Sequence, residues 1–552
     1  MLCLCWLAGL SNSLQAGTPT QAAIASAHPM ATEAGMAILR SGGNAFDAAV
    51  AVSAVLGVVE PYSSGFGGGG FWLLHRAEDG HQVMLDGRER APLSADRDLY
   101  LDDRGEVVPG LSIDGPLSAG IPGLPAALAH LSKNYGRLPL AKTLQPAIRI
   151  AQQGFPVDGH YQRMAGWRLE VLRAYPGSRE QFLSSGEVPE AGALIRQPDL
   201  ADTLRRLADQ GKDGFYRGEV AQRLVKGVRD AGGIWTLDDL DRYEVMERKP
   251  VTGRYHDLLI TSAAPPSSGG VALITMLNIL QAKDYASLAE PQRTHLLIEA
   301  MRRAYRDRAE YLGDPDFFEV PVARLTHAWY AAGLSRDIRM DRATPLGEED
   351  RLPAAEGRDT THFSILDQAG NRVAATLSIN YPFGSGFVAP GTGVLLNDEM
   401  DDFSARPGTP NVYGLVGGEA NAIAGGKRML SSMSPTFVED AQRVAILGTP
   451  GGSRIITMVL LGILEMADGK GPVDWVSRPR IHHQYLPDEI QFEPNALSLE
   501  LQRQLLGMGH RLKPLKSEFG NMQAVVWDKA SGRVEAASDP RGIGQAQTGA
   551  GP

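Results

Sequence analysis

The sequence predicts a layered α/β fold, in which helices and sheets stack face to face. Three observations lead to it. Residues 44–58 are apolar on nearly every side, so the helix they form must be covered all round, most simply against a sheet. Residues 116–250 read mostly as amphipathic helix. At Thr361 the pattern changes to strands, which alternate with glycine turns to the end of the chain. A chain of 552 residues allows about three or four ordinary domains, or one large α/β unit.

In order along the chain, residues 32–39 (TEAGMAIL) form a short helix closed by Gly42-Gly43, and Asn44 caps the apolar helix that follows. Residues 63–71 (SSGFGGGGF) lead into a strand at 72–75. Turns interrupt the helical region at Pro122-Gly123 and at Gly154-Phe155-Pro156. A single strand is expected over 253–262, then a loop at 265–270 (PPSSGG) that opens a helix, with helix continuing to about residue 343. Residues 345–358 (PLGEEDRLPAAEGR) are polar and poor in apolar side chains, the composition of a mobile, protease-sensitive linker. Two strands follow at once, 361–366 and 372–379, joined by the hairpin turn 367–371.

Composition removes several chemistries. The two cysteines, Cys3 and Cys5, both stand in the first few residues. The rest of the chain therefore has no thiol nucleophile, iron–sulfur cluster or zinc–thiolate site, and a cysteine-free body suits an oxidising compartment. Residues 2–10 (LCLCWLAGL) are a short apolar run, followed by polar and small residues up to Ala16-Gly17. This has the shape of a secretory signal over 1–17, without the usual charged start. The run is too short to span a bilayer and no later stretch qualifies, so the expectation is an exported, periplasmic or secreted protein without stable membrane insertion. The net charge of −10 and the lack of a basic stripe argue against nucleic acid as a partner.

The hexapeptide 65–70 (GFGGGG) matches G-x-G-x-x-G, but a helix precedes it and a strand follows, the reverse of a dinucleotide site. It reads instead as a close backbone crossing. His482-His483 would point to opposite faces of a strand and makes a poor metal pair. Neither a Walker sequence nor H-E-x-x-H occurs, so no metal or cofactor is expected. The strongest local signal is Asp359-Thr360-Thr361-His362-Phe363-Ser364, at the head of the hairpin and directly behind the linker. A threonine here can be a simple strand former. If the bond before it is cut, it becomes a nucleophile with its own base, because an α-amine has a pKa of about 7.7–8.0 and can take the proton from Oγ.

Residues 360–380 (TTHFSILDQAGNRVAATLSIN), followed by Phe383-Gly384, resemble the head of the small subunit of γ-glutamyltranspeptidases. The likeness runs on through 26–29 (SAHP), 41–47 (SGGNAFD), 86–92 (DGRERAP), 397–404 (NDEMDDFS), 410–414 (PNVYG), 430–435 (LSSMSP), 450–457 (PGGSRIIT) and 538–541 (SDPR), in the family's order. It covers essentially all of the chain after the signal. The resemblance implies an α+β fold, the four-layer αββα sandwich of N-terminal nucleophile hydrolases. It also implies cleavage between Asp359 and Thr360 into a large subunit, 18–359, and a small subunit, 360–552, and no cofactor.

It further implies roles for single residues. Thr360 would be the nucleophile in both self-cleavage and turnover. Ser378, where the family usually has threonine, would hydrogen-bond the new α-amine. Gly451 and Gly452 would supply oxyanion N–H groups. Arg88 would grip the α-carboxylate of a glutamyl group with its planar fork, helped by Ser431 and Ser432. Asn380, Glu399 and Asp402 would hold the ammonium. The loop 407–427 would be a lid over the glutamyl pocket, with Tyr413 as its gating ring. The donors would be glutathione and related γ-glutamyl compounds, and the acceptors water, amino acids or peptides. One rival is a cephalosporin (glutaryl) acylase, whose acyl chain lacks the ammonium and gives less reason to keep Glu399 and Asp402. Another is an unprocessed binding protein without turnover.

Overall fold

The computed structural model describes residues 17–345 and 360–550. Residues 346–358 of the linker, Asp359, and the apolar run at 2–10 lie outside the described residues. The first helix, α1 (Pro29–Arg40), begins three residues before the expected start, with Pro in its first turn and His28 Nδ1 accepting from Met30 N at 3.1 Å. Asn44 caps α2 (Ala45–Val59) and closes a reciprocal capping box with Asp47. Every residue of α2 is buried, as its all-round apolar sequence requires.

Two antiparallel sheets form the middle of the molecule. The first has seven strands, in spatial order Gln545–Gly549, Ala22–Ser26, Thr361–Leu366, Arg372–Ser378, Gly69–Arg76, His81–Gly87 and Met246–Arg248. Strands from before and after Thr360 are thus interleaved within one sheet. The second has six, in the order Val534–Ser538, Gln523–Asp528, Arg443–Gly448, Thr436–Glu439, Leu258–Ser262 and Val251–Tyr255. The period-two pattern sorts side chains by face. Ile24, Trp72, Leu74, Phe363 and Ile365 pack under α1 and α2, whereas Ala25, Phe71, Leu73 and Ala374 join the core shared with the second sheet. Ser364 Oγ donates to Gln523 O across the two sheets at 3.0 Å. Helices α3 (Gly269–Ala282), α4 (Gln292–Tyr311) and α5 (Ile455–Ala467) join the same core from the far side. The architecture is the α+β, four-layer αββα sandwich.

Two expectations need correction. The single strand at 253–262 is a hairpin, Val251–Tyr255 and Leu258–Ser262, turning at His256, whose φ is +52°. The polar pair His256-Asp257 breaks an otherwise strand-like run, and only the turn lets both halves keep their apolar faces inward. The long helix also does not continue to 343. It stops at Tyr311, where Gly313-Asp314-Pro315 cannot extend it, and only short helical turns follow.

Candidate active site

Thr360 stands at the head of strand Thr361–Leu366, inside the first sheet, with neighbours on both sides. Its φ is +132°, a region that β-branched residues avoid at a cost of roughly 1–3 kcal/mol. Its Oγ1 lies 3.3 Å from Ser378 Oγ, which ends the adjacent strand. Ser378 Oγ also accepts from Asn380 N at 2.8 Å. His362 is not poised as a base. Burial pushes its pKa down to about 3, and its two nitrogens face the hydroxyls of Thr376 at 2.8 Å and Ser364 at 3.3 Å.

The acidic turn after residue 397 is fixed from beneath. Asn397 Oδ1 accepts from Gly120 N (3.0 Å) and Glu399 N (2.9 Å), while its Nδ2 donates to the carbonyls of Gly67 (2.6 Å) and Gly120 (2.8 Å). This uses the whole capacity of the amide. The glycine-rich run at 65–70 is the expected backbone crossing: a Cβ on Gly68 would stand 2.2 Å from the Ser378 carbonyl. The nucleophile's neighbour and the acidic turn are therefore packed against the same glycines.

Arg88 enters from the turn after strand His81–Gly87 and is almost fully buried. It was expected to face a carboxylate at one end of the pocket, with Glu399 and Asp402 at the other. In this structure the two ends meet: Arg88 Nη1 pairs with Glu399, and Nη2 pairs with Asp402 Oδ2 at 2.5 Å. Glu89 lies 3.5 Å from the same guanidinium, with neither oxygen hydrogen-bonded. Burial and the neighbouring Glu399 carboxylate push its pKa up, against the pull of Arg88. Burial also pushes Glu399 up to about 7, against the pull of Arg88.

Asn380 sits behind this cluster at φ +73°, its Nδ2 donating to Asp398 O at 3.1 Å. Tyr413 donates its hydroxyl to Asn380 O at 2.6 Å. The loop that carries it is tied to the acidic turn. Asp402 Oδ1 accepts from Asn411 Nδ2 at 3.0 Å, and Asp401 Oδ2 accepts from Val412 N at 2.8 Å. Asp401 therefore anchors the loop. Gly451 and Gly452 form the turn before α5, at φ +135° and +55°. A Cβ on Gly452 would meet the Tyr413 ring at 2.6 Å, so only glycine lets ring and turn coexist. Helix starts of this kind present amide N–H groups and a positive dipole end.

One cavity collects these side chains. Thr360, Ser378, Asn380, Arg88, Glu399, Asp402, Tyr413, Ser431, Ser432 and Gly452 all line it; Gly451 stands just behind. As folded here it leaves about 20 Å³, little more than the room of one water. A wider groove of about 690 Å³ lies elsewhere, among His130, Lys133, Leu140 and Lys212, and contains none of these groups.

Sequence reasoning missed Glu89, Asn411 and Arg308 as neighbours of this cavity. Asn411 sits inside the quoted PNVYG motif and could have been found there. It also missed a buried knot, His295, Glu299 and His510, which is the one group with metal-ligand spacing among the described residues. The knot is already satisfied from within: His295 Nδ1 and His510 Nε2 are 2.7 Å apart, and Glu299 is taken by Thr344 and Arg303.

Comparison with known proteins gives the family and the fold. A sequence profile for the family described as Gamma-glutamyltranspeptidase matches residues 31–549. The chain is 41% identical to a protein of Escherichia coli (strain K12) named Glutathione hydrolase proenzyme, over 95% of this chain and 91% of that one. Among solved structures, cephalosporin acylase from Bacillus halodurans superposes with a TM-score of 0.83 at 27% identity, covering 96% of each chain. The γ-glutamyltranspeptidase of Helicobacter pylori is 41% identical, with a TM-score of 0.57 over 58% of this chain and 92% of its own. On this combination of sequence, fold and site, the chain belongs to the γ-glutamyltranspeptidase family of N-terminal nucleophile hydrolases.

Proposed function

We propose that the chain cuts itself between Asp359 and Thr360, and then uses Thr360 to cleave the γ-glutamyl amide bond of glutathione and related compounds. The observation that carries this reading is a threonine in a strained conformation at the head of a central strand, facing a cavity with charges of both signs. A zwitterionic glutamyl head requires both signs in one pocket; a glutaryl chain does not.

The free α-amine of Thr360 takes the Oγ proton as Oγ attacks the γ-carbonyl carbon. N–H groups of Gly451 and Gly452 hold the oxyanion, with the dipole of α5 behind them. The C–N bond breaks, the proton passes to the leaving amine, and a glutamyl ester remains on Thr360. Water, or the amine of an amino acid or peptide, attacks the ester and restores the hydroxyl. Ser378 keeps the amine oriented. Arg88, Ser431 and Ser432 hold the substrate carboxylate, while Asn380, Glu399 and Asp402 hold its ammonium. Tyr413 closes the pocket once the head has entered. The fragments would be 18–359, after removal of a signal at 1–17, and 360–552, staying together in the periplasm or outside the cell. No helix among the described residues is long and apolar enough to cross a membrane.

Asp402→Ala tests the ammonium contacts. The lost charge-assisted contact costs roughly 1.5–3 kcal/mol, or about 10- to 150-fold. The loss should appear mainly in KM for γ-glutamyl-p-nitroanilide, because head contacts exist in ground and transition states alike. Glutaryl-p-nitroanilide, which has no ammonium, should be spared. Equal losses on both substrates would refute the assignment.

Glu399 gives a pH dependence. Its ionised form attracts the ammonium, and burial raises its pKa to about 7. The favourable state is therefore lost as pH falls through that value, and kcat/KM should rise with pH through it. Glu399→Gln should remove this limb and leave the rise due to the α-amine, at about 7.7–8.0. Identical profiles for the two proteins would exclude Glu399 as the titrating contact.

A further inference from the structure

Arg308 lies on α4, outside every motif quoted above, and is buried to 4% exposure. Its hydrogen bonds go to hydroxyls. Nε donates to Ser268 Oγ at 3.1 Å, and Nη2 donates to Ser432 Oγ at 3.4 Å. Ser268 in turn donates its N–H (2.8 Å) and its hydroxyl (2.7 Å) to Ser431 O. One turn earlier on the same helix face, Tyr305 donates its hydroxyl to Ser453 O, in the turn that follows Gly452. This face of α4 thus reaches both the serine wall and the oxyanion turn.

The direction of these bonds matters. A guanidinium only donates. When Arg308 donates to Ser432 Oγ, the serine accepts there, and its own proton is free to turn into the cavity. Ser268 passes the other bond on to the Ser431 carbonyl, which fixes the backbone that carries both serines. Charge points the same way. Arg88 is shared between Glu399 and Asp402. Burying a cation is expensive unless something negative offsets it; the field of Asp402 offsets part of that cost, and the cation stands directly behind the two serines.

We propose that Arg308 is a positioning residue for the carboxylate end of this pocket: it aims the Ser431–Ser432 wall at the substrate's α-carboxylate and adds the second positive charge that the carboxylate meets. This rests on reading Ser431 and Ser432 as carboxylate contacts. It gives the substrate carboxylate a further cation, reached through a hydroxyl, besides Arg88, whose charge is shared with two acids.

The test uses the processed enzyme, with γ-glutamyl-p-nitroanilide as substrate and L-glutamate or 4-aminobutanoate as competitive inhibitor. The two inhibitors differ only in the α-carboxylate. Wild type should bind L-glutamate more tightly; if it shows no preference, the reading of the serine wall fails before any variant is made. Arg308→Gln should raise KM and the inhibition constant of L-glutamate roughly tenfold, at the low end for a charge-assisted contact. The constant for 4-aminobutanoate should stay within about twofold. Arg308→Lys, which keeps the charge without the fork, should recover part of the loss. Ser432→Ala combined with Arg308→Gln should cost less than the two single losses together, because the pair acts as a unit. A fall in kcat with both inhibition constants unchanged, or an equal rise in both, would reduce Arg308 to a structural role and overturn the proposal. Should Arg308→Gln fail to process, the same comparison is read from Arg308→Lys, and selectivity equal to wild type there would count against it.

Discussion

Thr360→Ala is expected to purify as one uncut chain with no measurable turnover. On the proposed mechanism the side chain has two duties, attack on the Asp359 carbonyl during maturation and attack on substrate afterwards, and alanine removes both. For a residue of this kind the loss in kcat is on the order of 10⁴-fold or more. Thr360→Ser should still cut, slowly. It keeps the hydroxyl but lacks the methyl that restricts χ1, so Oγ is held less firmly toward the bond before it. Denaturing gels with intact mass give the answer, and the first residues of the smaller wild-type fragment should read TTHFS. A fully active single chain would end the proposal. An uncut and inactive wild-type chain would instead revive the reading of the protein as an unprocessed binder.

Arg88→Ala should be nearly as damaging, for two separable reasons. Functionally it removes the fork proposed to hold the α-carboxylate, and kcat/KM on a γ-glutamyl anilide should fall at least about 100-fold. Structurally it strands Glu399 and Asp402 in a buried site without their cation. Breaking such a pair costs about 3–5 kcal/mol, so the melting temperature should drop as well. Arg88→Lys keeps a charge but cannot span both acids, and should fall between alanine and wild type. The control is Arg90. It is not the plain surface charge its sequence position suggests, since it donates to Gly426 O at 2.8 Å and Arg242 O at 3.1 Å, yet it does not line the cavity. Arg90→Ala should therefore keep KM near normal. All three variants should still cut, because the cut needs no bound glutamyl group. Normal kinetics in a processed Arg88→Ala enzyme would move the pocket elsewhere and favour the acylase rival.

Local signals in the sequence carried far. The change of period at Thr361, the Asn44 cap and the apolar helix behind it are local features, and the structure has them where the residues put them. The family likeness then brought distant motifs to one site, and the cavity indeed gathers Arg88 with residues some three hundred positions later. Pairings between charged residues were not legible. In RRAYRDRAE every arginine could face water, and only the packed helix makes Arg308 buried while Arg306 stays exposed. Nor does the sequence say that Arg88 would bind its own pocket's acids in preference to waiting for a ligand. That depends on three segments meeting in a dry place, where opposite charges have no better partner. His295 and His510 illustrate the same limit, because the contact between them crosses 215 positions of chain.

The interleaving of strands in the first sheet bears on how such an enzyme must be made. Ala22–Ser26 lies between Gln545–Gly549 and Thr361–Leu366, and Arg372–Ser378 lies against Gly69–Arg76. Neither product of the proposed cut would own a complete sheet. Each would expose raw strand edges if it folded alone, the kind of surface that seeds aggregation. With the proposed cut, synthesis as one polypeptide would act as an internal chaperone: it would supply equal amounts of the two parts and let the cut come after the weave is finished. Two genes encoding the halves would have to assemble an interlaced sheet from separate, sticky pieces, which gives a physical reason for such a heterodimer to descend from a single reading frame.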